Sequence, residues 1–228
     1  MAETVRPRAA AQPRKYSTPL IAERRKRILD ETKKLIGEAG IDGFTLRELG
    51  QRAGVSVTTV YNIFGDKEGV VAHALREFHA GIKLNLPSQG ANLAGYCRTI
   101  CDTTEVVLEN RAYALALADL YFSRSLSPTL FEVIRSMPLQ VFVHWLWMAE
   151  RDGLLTGVIR PADAETAFAN LEWASVKDWG AGRIADAELA EVRQRSFLVI
   201  VKAMAIRPIA EAADALLAAL SSPAGNTA

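Results

Sequence analysis

From Leu20 onward the apolar residues fall on one helical face, with Ile21, Ile28, Leu35 and Ala39 predicting a first helix and Gly40 its C-terminal cap. Asp42-Gly43 is a turn signal, and Thr45 with Glu48 three residues on forms a capping box. It opens a short helix with Leu46, Leu49 and Ala53 on one face. Gly54-Val55-Ser56 breaks that helix, and Ser56 caps the next, Val57–Phe64. Gly65-Asp66 follows, with Asp66 capping a longer helix from Lys67 to about Leu86. Past Pro87 the periodicity predicts helices near 91–109, 111–123, 128–151, 162–180, 187–206 and 208–220. Pro138 falls inside one of them and should kink or split it, because its nitrogen has no hydrogen to donate. No repeat of fixed period is visible. The expected fold class is all-α.

The pair of short helices between Thr45 and Phe64 concentrates the chemistry. Gly50 lets the second helix pass close over the first, and Gly54 is free to take positive φ at the turn. Val57, Val60 and Phe64 are expected to point inward, leaving Thr58, Thr59, Tyr61 and Asn62 outside or on the flanks. Such a row adds little to folding but suits a nucleic acid. Hydroxyls bond phosphates or base edges, threonine methyls meet the thymine methyl, and an asparagine amide pairs with adenine. The arrangement is a helix-turn-helix whose second helix would enter the major groove.

Charge sharpens this picture. The 228 residues carry 27 Lys+Arg and 26 Asp+Glu, a formal net charge of +1, but the surplus of positive charge lies at the N-terminus. Arg6, Arg8, Arg14 and Lys15 sit in a stretch to about Pro19 that is rich in Ala, Arg and Pro and lacks periodicity, and Arg24–Arg27 follow. A basic arm ahead of a compact module fits a polyanionic partner, since neutralising phosphates releases counterions; a solvated, solubilising tail is the plainer reading. Half the residues are hydrophobic and 23% are charged, the composition of a folded globular chain. Val141–Ala149, the longest apolar stretch, is about half a membrane span. With no apolar leader and only two cysteines, the expected setting is cytoplasmic, without membrane association.

The stretch from Arg24 to Phe78 resembles the N-terminal domain of the TetR family of transcriptional regulators. The resemblance rests on Gly40, on Gly43-Phe44-Thr45 with Leu49, and above all on Ala53-Gly54-Val55-Ser56 followed by Thr59-Val60-Tyr61, Phe64 and Lys67. It covers about a quarter of the chain. It implies that Thr45 opens the second helix and touches phosphate, that Thr58, Thr59 and Asn62 meet base edges, and that Tyr61 and Lys67 hold the DNA backbone. With Ser56 at the cap, these are the candidate DNA-binding residues. Thr58 departs from the family, where a small residue is usual. The recognition helix has no Arg or Lys, so affinity is expected from Lys67, Arg24–Arg27 and the arm.

The same resemblance implies homodimerisation through two late helices, matched by 162–180 and 187–206, and a pocket for a small-molecule effector among the middle helices. The dimer stripes would be Ala164, Ala167, Phe168, Leu171, Ala174 and Ser175 on one helix and Phe197, Leu198, Ile200, Val201 and Met204 on the other; both also read as internal core. Tyr113, Leu117, Tyr121, Phe142, Trp145 and Trp173 are the candidate ligand-binding residues, and they too read as core. Phe122 and Leu146 belong to the same aromatic and apolar material. Cys97 and Cys101 share a helix face at a spacing too wide for a disulfide, and nothing in the sequence brings His73, His79 or His144 to them as zinc ligands. No catalytic constellation, phosphate loop or cofactor motif stands out, so no enzyme, cofactor or metal site is expected.

The organisation that follows is a flexible basic arm (1–19), a DNA-binding domain (20–66), a connecting helix (67–86), an effector-binding and dimerisation domain (87–220) and a flexible tail (221–228). The expected function is a ligand-responsive, homodimeric repressor of a double-stranded DNA operator, released by a hydrophobic or aromatic effector. A helical module docking a protein partner through its helix-turn-helix is the alternative.

Overall fold

The structure, a computed structural model, describes residues 18–124 and 126–221. The arm ahead of Thr18 and the tail beyond Ser221 lie outside the described residues. Eleven α-helices are described: α1 (Thr18–Ala39), α2 (Leu46–Ala53), α3 (Val57–Phe64), α4 (Lys67–Ala80), α5 (Leu93–Glu109), α6 (Arg111–Tyr121), α7 (Pro128–Ser136), α8 (Leu139–Arg151), α9 (Pro161–Gly180), α10 (Leu189–Met204) and α11 (Arg207–Ser221). A 3₁₀ turn at Asp186–Glu188 precedes α10, and the extended pairing among the described residues is one bridge between Leu155 and Ala205. The fold is all-α, a helix-turn-helix followed by a helical domain. No helix among the described residues is long and apolar enough to cross a membrane.

Two expected elements differ, and a third divides where Pro138 was expected to split it. The helix opening at Lys67 stops at Ala80, where Gly81 donates to the Glu77 carbonyl, instead of reaching Leu86. Residues 83–87 then run irregularly: Leu86 precedes Pro87, which disfavours helix, and Thr99 Oγ1 donates to the Asn85 carbonyl at 2.7 Å. The predicted 128–151 helix is split at Met137-Pro138 into α7 and α8. The first helix begins at Thr18, and its early residue Ile21 is exposed; Ile28, Leu29, Leu35 and Ile36 carry its buried face, while Ala39 is exposed.

That face packs α1 against α2, α4 and α6. Farther along, α8, α9 and α10 meet around an aromatic core, where the Phe142 and Phe168 rings stack at 4.8 Å and Phe197 lies against both. The Phe197, Leu198 and Val201 stripe, expected at a dimer interface, is fully buried within the single chain, and α11 packs on α10. A buried ion pair ties the bundle: Arg193 on α10 donates to Glu172 Oε2 on α9 from Nε at 2.8 Å and Nη2 at 2.7 Å, and from Nη1 to Thr104 on α5 at 2.7 Å.

Candidate nucleic-acid interface and apolar cavity

Thr45, in extended conformation, caps α2, accepting from the Glu48 N–H at 3.1 Å. The Glu48 carboxylate pairs with Arg52 at 3.4 Å, so the box is formed from the threonine side. Gly54 caps α2 with φ +66°, a left-handed turn that only glycine adopts without strain. Ser56 then caps α3, accepting from the Thr59 N–H at 3.1 Å, with its Oγ 2.9 Å from Thr59 Oγ1. The turn is tight because a Cβ on Gly50 would stand 2.9 Å from the Val55 carbonyl oxygen.

Val60 and Phe64 are buried as expected, whereas Val57 is 37% exposed. It lies in the first turn of α3, which faces outward beside exposed Ser56 and Thr58. Tyr61 is 51% exposed and Asn62 is exposed, while Thr59 is half-buried against Ser56. Ser56, Thr58, Tyr61 and Asn62 thus form an exposed polar row on the capped helix, with exposed Thr45 at the start of the neighbouring one.

The basic groups are more engaged than charge alone suggests. Lys67 Nζ donates to the Phe44 carbonyl at 2.6 Å and sits 4.6 Å from the centre of the Phe44 ring, binding α4 to the loop before α2. Arg25 lies over the Phe64 ring with Nη2 3.2 Å from His73 Nδ1, and Lys26 pairs with Asp30 at 2.7 Å. Arg47, which sequence reasoning passed over, is exposed on α2 two residues after Thr45. Its signal was its place opposite the Leu46, Leu49 and Ala53 face.

The second feature is an apolar cavity of about 100 Å³ between α4, α5, α6, the α7–α8 junction, α9 and α10. Tyr113, Leu117 and Trp173 line it. Phe142, Trp145 and Tyr121 do not. Phe142 and Trp145 are fully buried in the aromatic core, where Trp145 Nε1 donates to the Gly90 carbonyl at 3.1 Å. Tyr121 stacks on Phe131 and donates to Asn170 at 2.7 Å. Ring size and helical spacing cannot distinguish a cavity wall from a packed interior.

Sequence reasoning also missed Glu172, Arg193 and His79 in the wall. Position 172 continues the buried Phe168 and Val176 face of α9, so a carboxylate there was the available signal. Burial pushes the Glu172 carboxyl up, opposed by the Arg193 guanidinium beside it. Burial also lowers His79 to about 4, leaving it neutral at physiological pH, and pushes the Tyr113 hydroxyl up.

Cys97 is buried and Cys101 half-buried; burial raises the first thiol to about 11 and also raises the second, favouring thiol over thiolate at both. Among the described residues no three His, Cys, Asp or Glu side chains cluster to hold a metal.

Residues 28–74 match the model of the bacterial regulatory proteins, tetR family. Over 61 residues, 25% of this chain and 31% of the relative, the sequence is 41% identical to the HTH-type transcriptional regulator BetI of Burkholderia thailandensis. The match therefore spans about a third of the length of such curated relatives. The fold is similar to that of a TetR transcriptional regulator from Agrobacterium tumefaciens, with a TM-score of 0.57 at 18% identity over 82% of this chain and 97% of that one. It is also similar to that of FadR of Thermus thermophilus, a TetR-family transcriptional repressor in complex with lauroyl-CoA. There the TM-score is 0.55 at 18% identity, over 80% of this chain and 96% of that one. At these identities the likeness is one of fold.

Proposed function

We propose that this chain, whose residues 28–74 match the tetR family of bacterial regulatory proteins, is a member of that family and a homodimeric transcriptional repressor released from its operator by a small effector. The observation that carries the reading is the exposed row Ser56, Thr58, Tyr61 and Asn62 on a helix held by two caps and a glycine turn. Thr58, Thr59 and Asn62 read base edges; Thr45, Tyr61 and Lys67 hold phosphate, with Arg47 beside them. One Lys67 donor is taken by the Phe44 carbonyl, which leaves its ammonium two more and aims it from the start of α4.

The cavity is the effector site. Helix α4, about 20 Å long at 1.5 Å per residue, touches it with Phe78 and His79 near one end and carries Lys67 at the other. Ser127, capping α7, donates to Glu68 in the first turn of α4 at 2.7 Å, and the Met137-Pro138 break after α7 lines the cavity. An effector that fits better with α7 or α4 displaced shifts the population toward a form whose two recognition helices miss their half-sites. Dimerisation through α9 and α10 is supported by Leu171, 42% exposed, and Val199, 54% exposed. The domains of this reading are DNA-binding α1–α3, connecting α4, and effector-binding and dimerising α5–α11.

The test is fluorescence anisotropy of a labelled duplex from the region flanking the protein's own gene, against a scrambled duplex at two salt concentrations. Selective binding that weakens steeply with salt is expected. Absence of binding to any duplex at low salt would replace DNA with a protein partner for the same helix face.

A further inference from the structure

Three buried side-chain atoms have no hydrogen-bond partner among the described residues: Tyr113 Oη, Trp173 Nε1 and Glu172 Oε1. Their residues are 5%, 6% and 3% exposed, and all three line the same cavity. Buried polar groups are nearly always paired, so three unpaired atoms around one space call for a partner inside it. Several other polar groups of the wall are engaged: Thr103 donates to the Ile100 carbonyl, Asn110 accepts from Lys33, and Arg193 holds Glu172 Oε2 and Thr104.

What these atoms require is restrictive. The indole N–H only donates and needs an acceptor. The phenol does either. Glu172 Oε1 accepts as a carboxylate and donates if protonated. Arg193 already balances the Glu172 charge, so an ion entering the cavity would shed its hydration without gaining a counter-ion. The volume of about 100 Å³ is smaller than the apolar cavity of about 150 Å³ that holds one benzene in another protein, so long chains are excluded and a single ring fits only with the wall displaced, as the effector reading requires.

We propose that the cavity binds an uncharged, single-ring molecule bearing one group that both donates and accepts hydrogen bonds, a hydroxyl or a carboxamide. The proposal rests on reading the cavity as the effector site, and it specifies the ligand class of that site.

The test is calorimetric titration of the full chain, without DNA, using phenol, benzamide, toluene, benzoate and benzylamine. Phenol or benzamide is expected to bind three- to tenfold tighter than toluene, and tighter than either ion; which of the two wins separates hydroxyl from carboxamide. Tightest binding by benzoate or benzylamine, equal binding by toluene, or binding by none of the five would overturn the proposal.

Tyr113→Phe and Trp173→Phe keep an aromatic ring while removing an unpaired polar atom. Each is expected to lose most of the preference for the polar probe over toluene, read as the ratio of the two affinities within the same variant. Preference retained in full by both variants would also overturn the proposal. Adding the winning probe to the operator complex separates the two readings. Binding without DNA release leaves the ligand class standing and removes the effector role, whereas operator binding with no probe bound leaves the regulator standing and removes the ligand class.

Discussion

Gly50 illustrates how one missing carbon positions α3. In an isolated helix alanine would be better than glycine by about 1 kcal/mol. Here its Cβ would press on the backbone at Val55 and Val57, a strain of about 1–3 kcal/mol because neither neighbour is a flexible side chain. Gly50→Ala should therefore lower the urea midpoint, and an unchanged or raised midpoint would mean that α2 and the turn separate freely. Ser56→Ala removes the acceptor for the Thr59 N–H and should cost about 1 kcal/mol in the same assay. The proposed contact residues would divide by role. Lys67→Ala should weaken all duplexes about equally and reduce the salt slope by about one, while Asn62→Ala should relax preference at a single base position. Parallel behaviour of the two variants across a panel of operator substitutions would abolish the division into phosphate and base contacts.

At the scale of elements, the C-terminal helices are joined through the Arg193 clamp between α5, α9 and α10. A buried pair adds little net stability over well-packed apolar residues, but removing one partner strands a charge. Arg193→Met should thus cost about 3–5 kcal/mol in urea unfolding, and adding Glu172→Leu should recover most of the loss. A double variant no more stable than the single one would place the cost in lost packing by the arginine stem instead of in the stranded carboxylate. The clamp forms part of the cavity wall, so the groups that hold α9 to α10 are also those the proposed ligand would meet.

For the whole molecule, acid is the informative variable. Burial lowers His79 from the ordinary 6.5 to about 4, and burial also lowers His73 and His144. A histidine with a depressed folded pKa binds its proton more readily when unfolded. Its contribution is therefore complete above about pH 6.5 and is lost as pH falls toward 4. For His79 the loss is about 3 kcal/mol across that window. Urea unfolding at pH 7 and pH 4.5 should show a smaller drop for His79→Gln than for the parent; identical drops would remove His79 as a cause. Assembly is the other property at this scale. Leu171→Glu should shift sedimentation from dimer to monomer while leaving the helical circular dichroism unchanged, and a persistent dimer would move the interface away from the exposed α9 face.

Local chemistry made the helix-turn-helix legible from sequence. Caps at Thr45, Ser56 and Asp66 and glycines at 50, 54 and 65 act within a few residues of themselves, so α2 and α3 have the boundaries their sequence predicts. Pro138 likewise announced the break between α7 and α8. The end of α4 carried local signals that a helix running to Leu86 overlooks: Gly81 caps it, and Ile82, Leu84 and Leu86 alternate with Lys83 and Asn85 at an extended, not helical, spacing. The chain instead leaves the helix to meet Thr99 and the backbone of α8 beside Gly90. The Phe197, Leu198 and Val201 stripe was equally ambiguous: periodicity marks a face as apolar without saying whether core, partner or ligand covers it. The pairing of Glu172 with Arg193, 21 residues apart, and the meeting of Tyr113 and Trp173 at one cavity arose only in the folded chain. Interactions spanning a single turn depend on neighbouring residue types and can be read along the sequence, whereas contacts between helices depend on how distant faces pack, and that packing decided which buried atoms were left without partners.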